Sequence, residues 1–216
     1  MNRPKLVNNI RKMDDMLMTM IILIQEQLEI TKSALMNQDK ELAYQVKKMD
    51  KRIDDLEMEI ERECIDAIAL QQPLACDLRR IESTLKMITD LERLGDNNVN
   101  IARIVLAQKE RLTIKPLIEL QKLFELVALM LRQWTDSYVR ASVELAVLTA
   151  RIDDEVDLIY ETFYRGMLEI LVDHPEQRDQ IVAYLFVGRY LERMGDHITN
   201  LSERVVYTVS GERVSF

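Results

Sequence analysis

Residues 78–102 read LRRIESTLKMITDLERLGDNNVNIA and combine a helical stripe of apolar side chains with a polar motif. The apolar side chains recur at steps of three or four residues, which places them on one face of a helix. They are Leu78, Ile81, Leu85 and Ile88. Continued by the same steps, the stripe reaches Glu92 and Gly95. A carboxylate and a glycine therefore occupy positions that the pattern assigns to a helix–helix interface.

The whole chain has the composition of long amphipathic helices. Its 216 residues include only five glycines and four prolines, while 31% of the residues are charged and 6% are aromatic. So few turn-forming residues cannot supply the many tight turns of a β-sandwich or barrel. The chain also lacks the glycine-rich loop of a nucleotide-binding sheet. An all-α fold is the class that remains.

The polar motif and the apolar stripes both occur twice. The sequence Glu-Arg-x-Gly-Asp-x-x-x-Asn spans residues 92–100 and returns at residues 192–200. The apolar stripe of residues 17–35 is matched 103 residues later by residues 120–138. A period of this length indicates two tandem copies of one helical unit.

We therefore predict six long helices that form two tandem, similar three-helix bundles. The first bundle covers residues 1–110 and the second covers residues 111–216, with the boundary in the polar stretch 108–116. A further break, between the fourth and fifth helices, is predicted near residues 139–142. A proline is tolerated in the first turn of a helix, so the prolines mark the starts of helices one, three, four and six. They are Pro4, Pro73, Pro116 and Pro175.

Charge and hydropathy exclude several classes of protein. The net charge of −8, without any basic run, argues against a nucleic-acid partner. The longest apolar run, residues 16–24, is too short to span a membrane, and no signal-peptide cleavage pattern follows it. Cys64 and Cys76 have neither zinc-site spacing nor a neighbouring histidine, so we expect two buried thiols in a reducing cytoplasm. A cytoplasmic chain without membrane insertion is the prediction.

Carboxylates at a spacing of four residues recur on the second and third helices of each copy. Because these helices should be neighbours, each half brings two acid-x-x-x-acid pairs together. Carboxylates paired across a helical interface suit hard or borderline cations, and Mg²⁺, Mn²⁺, iron and Zn²⁺ are the candidates. The eight candidate metal ligands are Asp50, Asp54, Glu92, Asp96, Asp153, Asp157, Glu192 and Asp196.

A purely structural interpretation of these acids stays open. With 37 acids in the chain, chance alone gives about six acid-x-x-x-acid spacings. In that interpretation Arg93 and Arg193 neutralise the acids in salt bridges. In a metal site the same two arginines, with Asn100 and Asn200, are the possible accessory residues. The recurrence of the whole motif, however, favours a cation site.

The glycines of the two motifs need an explanation of their own. Gly95 and Gly195 lie inside predicted helices, where glycine costs about 1 kcal/mol relative to alanine. Their equivalent positions indicate either a close approach of the helix backbone to its neighbour or room for a bound species.

Residues typical of catalysis are scarce. The chain has two histidines, His174 and His197, and no Glu-x-x-His, which argues against a di-iron carboxylate oxidase. No Ser/His/Asp or Cys/His set and no phosphate-cradling loop is evident, so a non-enzymatic protein is predicted. We expect His197 to be an ordinary, partly exposed histidine, and Trp134 and the methionines to fill the core.

Three features together resemble the PhoU family of phosphate-transport regulatory proteins. They are the duplicated Glu-Arg-x-Gly-Asp-x-x-x-Asn motif, the segment Gln72-Pro73-Leu74-Ala75 followed by Asp77-Leu78-Arg79, and the pattern Asp50-x-x-Ile53-Asp54. The resemblance covers nearly the whole chain and includes its repeat period. It implies two similar three-helix bundles in a cytoplasmic protein, assembled as a homodimer, that can carry metal ions on its acid-x-x-x-acid motifs.

The resemblance also implies a role in phosphate homeostasis. Proteins of the family act with the ATPase subunit of a phosphate ABC transporter and with the sensor histidine kinase of the phosphate-starvation response, and they restrain uptake and signalling when phosphate is plentiful. Two alternatives from other classes remain at this point. One is a metal-independent helical adaptor for a non-ABC phosphate carrier, and the other is a metal-dependent enzyme.

Overall fold

The computed structural model describes residues 3–108 and 118–216, and it is almost entirely helical within them. These residues contain no β-strand, so the all-α prediction is confirmed. The predicted boundary near residues 110 and 111, with Pro116, falls largely outside the described residues. The helices are α1 (Arg3–Asn37), α2 (Lys40–Gln71), α3 (Ala75–Ala107), α4 (Ile118–Arg140), α5 (Val143–Ala150), α6 (Asp153–Asp173) and α7 (Arg178–Ser210), with a short 3-10 turn at Pro175–Gln177.

The second repeat contains two breaks where the sequence predicted one. The expected break lies at Ala141, whose φ of 49° is left-handed, and at Ser142, whose side chain caps α5 by accepting from the Leu145 N–H at 3.2 Å. A second break divides the predicted fifth helix into α5 and α6. Three consecutive acids favour a new helix start there, because the positive end of a helix dipole stabilises negative charge. Asp153 is therefore the first residue of α6.

The helices of each repeat pack on one another. The last helices of the two repeats, α3 and α7, join the repeats. Helices α1, α2 and α3 form the first bundle, while α5 and α6 together take the place of α2 beside α4 and α7. Helices α3 and α7 pack against each other along an extensive interface. They run antiparallel, because the start of α3 meets the end of α7 where Arg79 contacts Gly211, and Asp90 meets His197 in their middle. The two acid-bearing motifs thus lie on one antiparallel helix pair.

The buried side chains follow most of the predicted stripes. Leu17, Met20 and Ile24 are fully buried in the first repeat, as is Trp134 in the second. Within the described ranges, no helix combines the length and hydropathy that a membrane span requires.

Three predictions of burial are wrong. Met58 on α2 is 55% exposed, so not every methionine fills the core. Leu78 is 42% exposed and Cys76 is exposed, while Cys64 is buried. Leu78 and Cys76 lie in the first turn of α3, directly after the turn that joins α2 to α3. The buried stripe of α3 therefore begins at Ile81.

A hydrogen-bonded triad connects the repeats near the start of α3. The Tyr138 hydroxyl donates to Asp14 Oδ1 at 2.7 Å, and Arg80 Nη2 donates to Asp14 Oδ2 at 2.6 Å. Burial, followed by the charge of Asp14, raises the pKa of Tyr138, which keeps the phenol protonated as a donor. Because the triad joins α1, α3 and α4, it fixes the two bundles relative to each other.

Gly188 and Gly166 offer a matched test of the packing between α6 and α7. A Cβ at Gly188 would lie 2.6 Å from Phe163 Cε1, and that ring is buried, whereas a Cβ at Gly166 would meet nothing within 4 Å. We expect Gly188→Ala to lower the free energy of unfolding by about 1–2 kcal/mol, because overpacking outweighs the gain in helix propensity. Gly166→Ala should raise it by up to about 1 kcal/mol. Urea unfolding of both variants measures the two effects, and equal effects would contradict this packing.

Candidate metal centre

The motif glycines place helix backbone against a carboxylate in both repeats. A Cβ at Gly95 would lie 3.3 Å from Asp50 Oδ1 and 3.4 Å from the side chain of Ile53. A Cβ at Gly195 would overlap Asp153 Oδ1, which comes closer to that position than real Cβ atoms allow. The glycines therefore make room for the first aspartate of each neighbouring helix, as one of the two explanations from the sequence required.

The first acid set consists of Asp50 and Asp54 on α2 and Glu92 and Asp96 on α3. Burial, followed by the charges of Asp54 and Asp96, raises the pKa of Asp50 to about 6. Burial, followed by the charge of Asp96, raises the pKa of Glu92 to about 7, although Arg93 opposes the shift. Burial and then Asp96 also raise the pKa of Asp54. Since these carboxylates act on one another, the fold brings the four predicted residues together.

The second acid set consists of Asp153 and Asp157 on α6 and Glu192 and Asp196 on α7. The pKa of Asp153 is raised to about 6, chiefly by burial and to a smaller extent by the charges of the other three acids of the set. The Thr199 hydroxyl, which donates to Asp153 Oδ2 at 3.1 Å, lowers it. Burial followed by the charge of Asp196 also raises the pKa of Asp157 and of Glu192. The second set thus repeats the electrostatics of the first.

Arginine pairs with the acids in both sets, but from different positions. Arg93 Nε lies 3.4 Å from Glu92 Oε2, and its Nη1 lies 3.2 Å from Asp96 Oδ2. In the second set Arg189 Nη1 pairs with Glu192, whereas Arg193 forms no ion pair within the described parts of the chain. The salt-bridge interpretation therefore applies to Arg93 and not to Arg193.

Among the residues described, the predicted accessory asparagines form no hydrogen bond with the acid sets. Asn100 Oδ1 accepts from Arg103 Nη1 at 2.8 Å. Asn200 Nδ2 donates to Asp90 Oδ1 at 3.4 Å, and His197 Nδ1 lies 3.0 Å from the same oxygen. Asp90 and His197 therefore join the two repeats.

Arg189 and Asp90 were not predicted from the sequence to contact the site residues. The only available signal was the three-residue spacing between Arg189 and Glu192, and the first repeat has Thr89 at the position of Arg189. A search for residues shared by the two repeats therefore misses Arg189.

The donors of the second set have the chemistry of a cation site. Among the residues that the structure describes, Asp153 Oδ1 and Glu192 Oε2 are buried without a hydrogen-bond partner, and an unsatisfied buried polar atom costs about 1–3 kcal/mol. A cation would satisfy both oxygens and relieve the repulsion that raises the pKa values. As the side chains lie, no three acidic, histidine or cysteine groups converge on one point among the residues described. Cation binding therefore requires rotation of these side chains.

Comparison with known proteins finds relatives over nearly the whole chain. The family model of the PhoU domain matches residues 17–105 and 120–205. A phosphate-specific transport system accessory protein PhoU homolog from Clostridium acetobutylicum is 34% identical, covering 99% of this chain and 98% of the relative. A homolog from Aquifex aeolicus with the same description is 35% identical, covering 97% and 95%.

Two crystal structures have the same fold. The phosphate transport system regulatory protein PhoU from Streptococcus pneumoniae superposes with a TM-score of 0.91 at 27% identity, covering 98% of this chain and 100% of that one. PhoU from Pseudomonas aeruginosa superposes with a TM-score of 0.88 at 30% identity, covering 95% and 99%. The similarity therefore includes the packing of the helices that position the acid sets.

Proposed function

The chain belongs to the PhoU family, and from that premise we propose that it is a cytoplasmic negative regulator of phosphate uptake and phosphate-starvation signalling. The observation that carries the proposal is the near full-length similarity to a phosphate-specific transport system accessory protein, which shares both repeats. The family consists of regulatory accessory proteins, so the prediction of a non-enzymatic chain is confirmed.

The proposed partners are the ATPase subunit of a phosphate ABC transporter and the sensor histidine kinase of the starvation response. Exposed apolar side chains at matching ends of the two bundles support docking on other proteins. Leu70 and Leu74 are 69% and 51% exposed at the α2–α3 turn, and Val172 is 80% exposed at the end of α6. A homodimer is part of the same proposal.

The acid sets are proposed to hold divalent or transition cations, with Mg²⁺, Mn²⁺, iron and Zn²⁺ as candidates. The unpartnered oxygens of Asp153 and Glu192 support this role. A bound cation would supply positive charge between α2 and α3 and between α6 and α7. The carboxylates would then hold each helix pair together instead of repelling one another.

Deletion of the gene in the host that encodes it tests the regulatory role. We expect phosphate uptake and starvation-reporter expression to persist in phosphate-rich medium, and the wild-type gene to restore repression. The purified chain should bind the transporter ATPase subunit and the cytoplasmic part of the kinase from the same host. Repression that survives deletion, together with no binding to either partner, would contradict the proposal.

A metal-independent adaptor for a non-ABC phosphate carrier is the second candidate. It is favoured by the ion pairs of Arg93, which satisfy Glu92 and Asp96 without a cation. Partner binding distinguishes the two functions. The adaptor binds its carrier equally well with and without a chelator, whereas the cation-dependent regulator loses partner affinity when the chelator is present.

A further inference from the structure

A polar groove lies between the two acid sets, where α3 and α7 cross. It encloses about 530 Å³, and every side chain that lines it is arginine, histidine, asparagine or aspartate. Four cationic or ionisable basic groups face it in a chain whose net charge is −8. They are Arg93 from α3 and Arg189, Arg193 and His197 from α7.

Duplication alone does not account for this lining. The repeat offset of 100 residues in this part of the chain pairs Arg189 with Thr89 and His197 with Asn97. Two of the four basic groups are therefore specific to the second repeat. Arg189, Arg193 and His197 follow one another at steps of four residues, so they form a single stripe of α7.

Without cations, carboxylates neutralise most of this positive charge. Arg93 is held by Glu92 and Asp96, and Arg189 is held by Glu192. These carboxylates belong to the two acid sets, so a cation bound there would compete with the arginines for the same carboxylate groups. Cation binding would release both guanidinium groups and neutralise Asp96 and Asp196, which also line the groove.

We propose that the groove between α3 and α7 binds inorganic phosphate when cations occupy the two acid sets. This inference rests on the cation binding proposed above. Arg193, which has no ion pair within the described residues, is the donor that is available throughout. Guanidinium groups bind tetrahedral oxyanions through paired N–H donors, and the asparagine amides of the groove add neutral donors. The coupling is reciprocal, so phosphate tightens cation binding by the same factor as the cation tightens phosphate binding.

Calorimetric titration of the full chain tests the proposal in two steps. Mn²⁺ is titrated first, and inorganic phosphate is then titrated into Mn²⁺-loaded and Mn²⁺-free protein in a chloride buffer. We expect Mn²⁺ to tighten phosphate binding by at least about fivefold. Arg193→Gln should retain Mn²⁺ affinity and weaken phosphate binding about ten- to hundredfold, as expected for the loss of a charged hydrogen bond. Arg62→Gln, which replaces an exposed arginine outside the groove, should bind both as the wild type does.

The Mn²⁺ and phosphate titrations distinguish a failure of the cation proposal from a failure of the phosphate proposal. If the wild type binds no Mn²⁺, the cation proposal fails and the coupling fails with it. If Mn²⁺ binds and Arg193→Gln binds phosphate as tightly as the wild type, the groove is not the phosphate site and only this inference is overturned. Unchanged secondary structure and unfolding midpoint in Arg193→Gln confirm that any loss of phosphate binding is local.

Discussion

The cation-free protein should lose about 3 kcal/mol of its free energy of unfolding as the pH rises from 5 to 8, after allowance for solvent screening of partly exposed groups. The loss arises at Asp50, Glu92 and Asp153. Their pKa values in the folded protein are raised to about 6, 7 and 6 respectively.

The sign follows from proton uptake. An acid whose pKa is raised by folding binds more protons in the folded than in the unfolded state between its two pKa values. Stability therefore falls as the pH rises from the unfolded pKa, near 4, through the folded pKa of about 6–7. Above these folded pKa values Asp50, Glu92 and Asp153 are charged, and their incomplete solvation and repulsion by neighbouring acids oppose folding.

Urea unfolding in the presence of a chelator at pH 5, 6, 7 and 8 measures this loss. The double variant Asp50→Asn/Asp153→Asn should be more stable than the wild type at pH 8 and should show a flatter pH profile. A wild-type stability that is constant or rises between pH 5 and pH 8 would contradict the electrostatics of the acid sets.

Cations should reverse the loss and produce the largest change in stability. At pH 8 and a free Mn²⁺ concentration about a hundredfold above the dissociation constant, each occupied set stabilises the folded state by about 2.7 kcal/mol. Two sets together give about 5 kcal/mol, or about 10–20 °C in the unfolding temperature for a chain of this size. The effect should be smaller at pH 5, because protons compete with cations for the carboxylates.

Matched variants show which carboxylates are responsible for the stabilisation by Mn²⁺. Glu92→Gln/Asp96→Asn should remove about half of the Mn²⁺-induced stabilisation, and adding Asp153→Asn/Asp157→Asn should remove the rest. Glu169→Gln/Asp173→Asn is the control, because these acids have the same spacing on α6 but are exposed and lie outside both sets. Differential scanning calorimetry with and without Mn²⁺ gives the shifts. A control that loses as much stabilisation as the site variants would show that Mn²⁺ acts at the surface in general.

Periodicity and repetition were sufficient to predict the helical fold and the pairing of the acids. The apolar stripes determine which face of each helix is buried, so they also determine that Asp50 approaches Gly95 and that Asp153 approaches Gly195. The start of α6 at Asp153 was not predicted. The apolar stripe continues through the break between α5 and α6, and only the acidic first turn of α6 indicates that a new helix begins.

The contacts between the repeats could not be predicted from periodicity and repetition. The pairing of Asp90 with His197, and the groove beside it, depend on how α3 packs against α7. The pattern on either helix alone does not specify that packing. Comparing the repeats also discards residues that differ between them, such as Arg189 and His197, although these residues make the groove basic. Leu78 lies on the apolar stripe of α3 but is exposed in its first turn, so the stripe alone does not show where burial begins.

The number of Mn²⁺ ions bound per chain shows directly whether the two acid sets hold cations. Mn²⁺ bound per chain is measured by equilibrium dialysis at pH 8 for the wild type, for Glu92→Gln/Asp96→Asn, and for the control Glu169→Gln/Asp173→Asn. Our prediction is at least one cation for each acid set in the wild type and in the control, and loss of the cations of the first set in Glu92→Gln/Asp96→Asn. Equal Mn²⁺ content in all three proteins, or none in any of them, would contradict it.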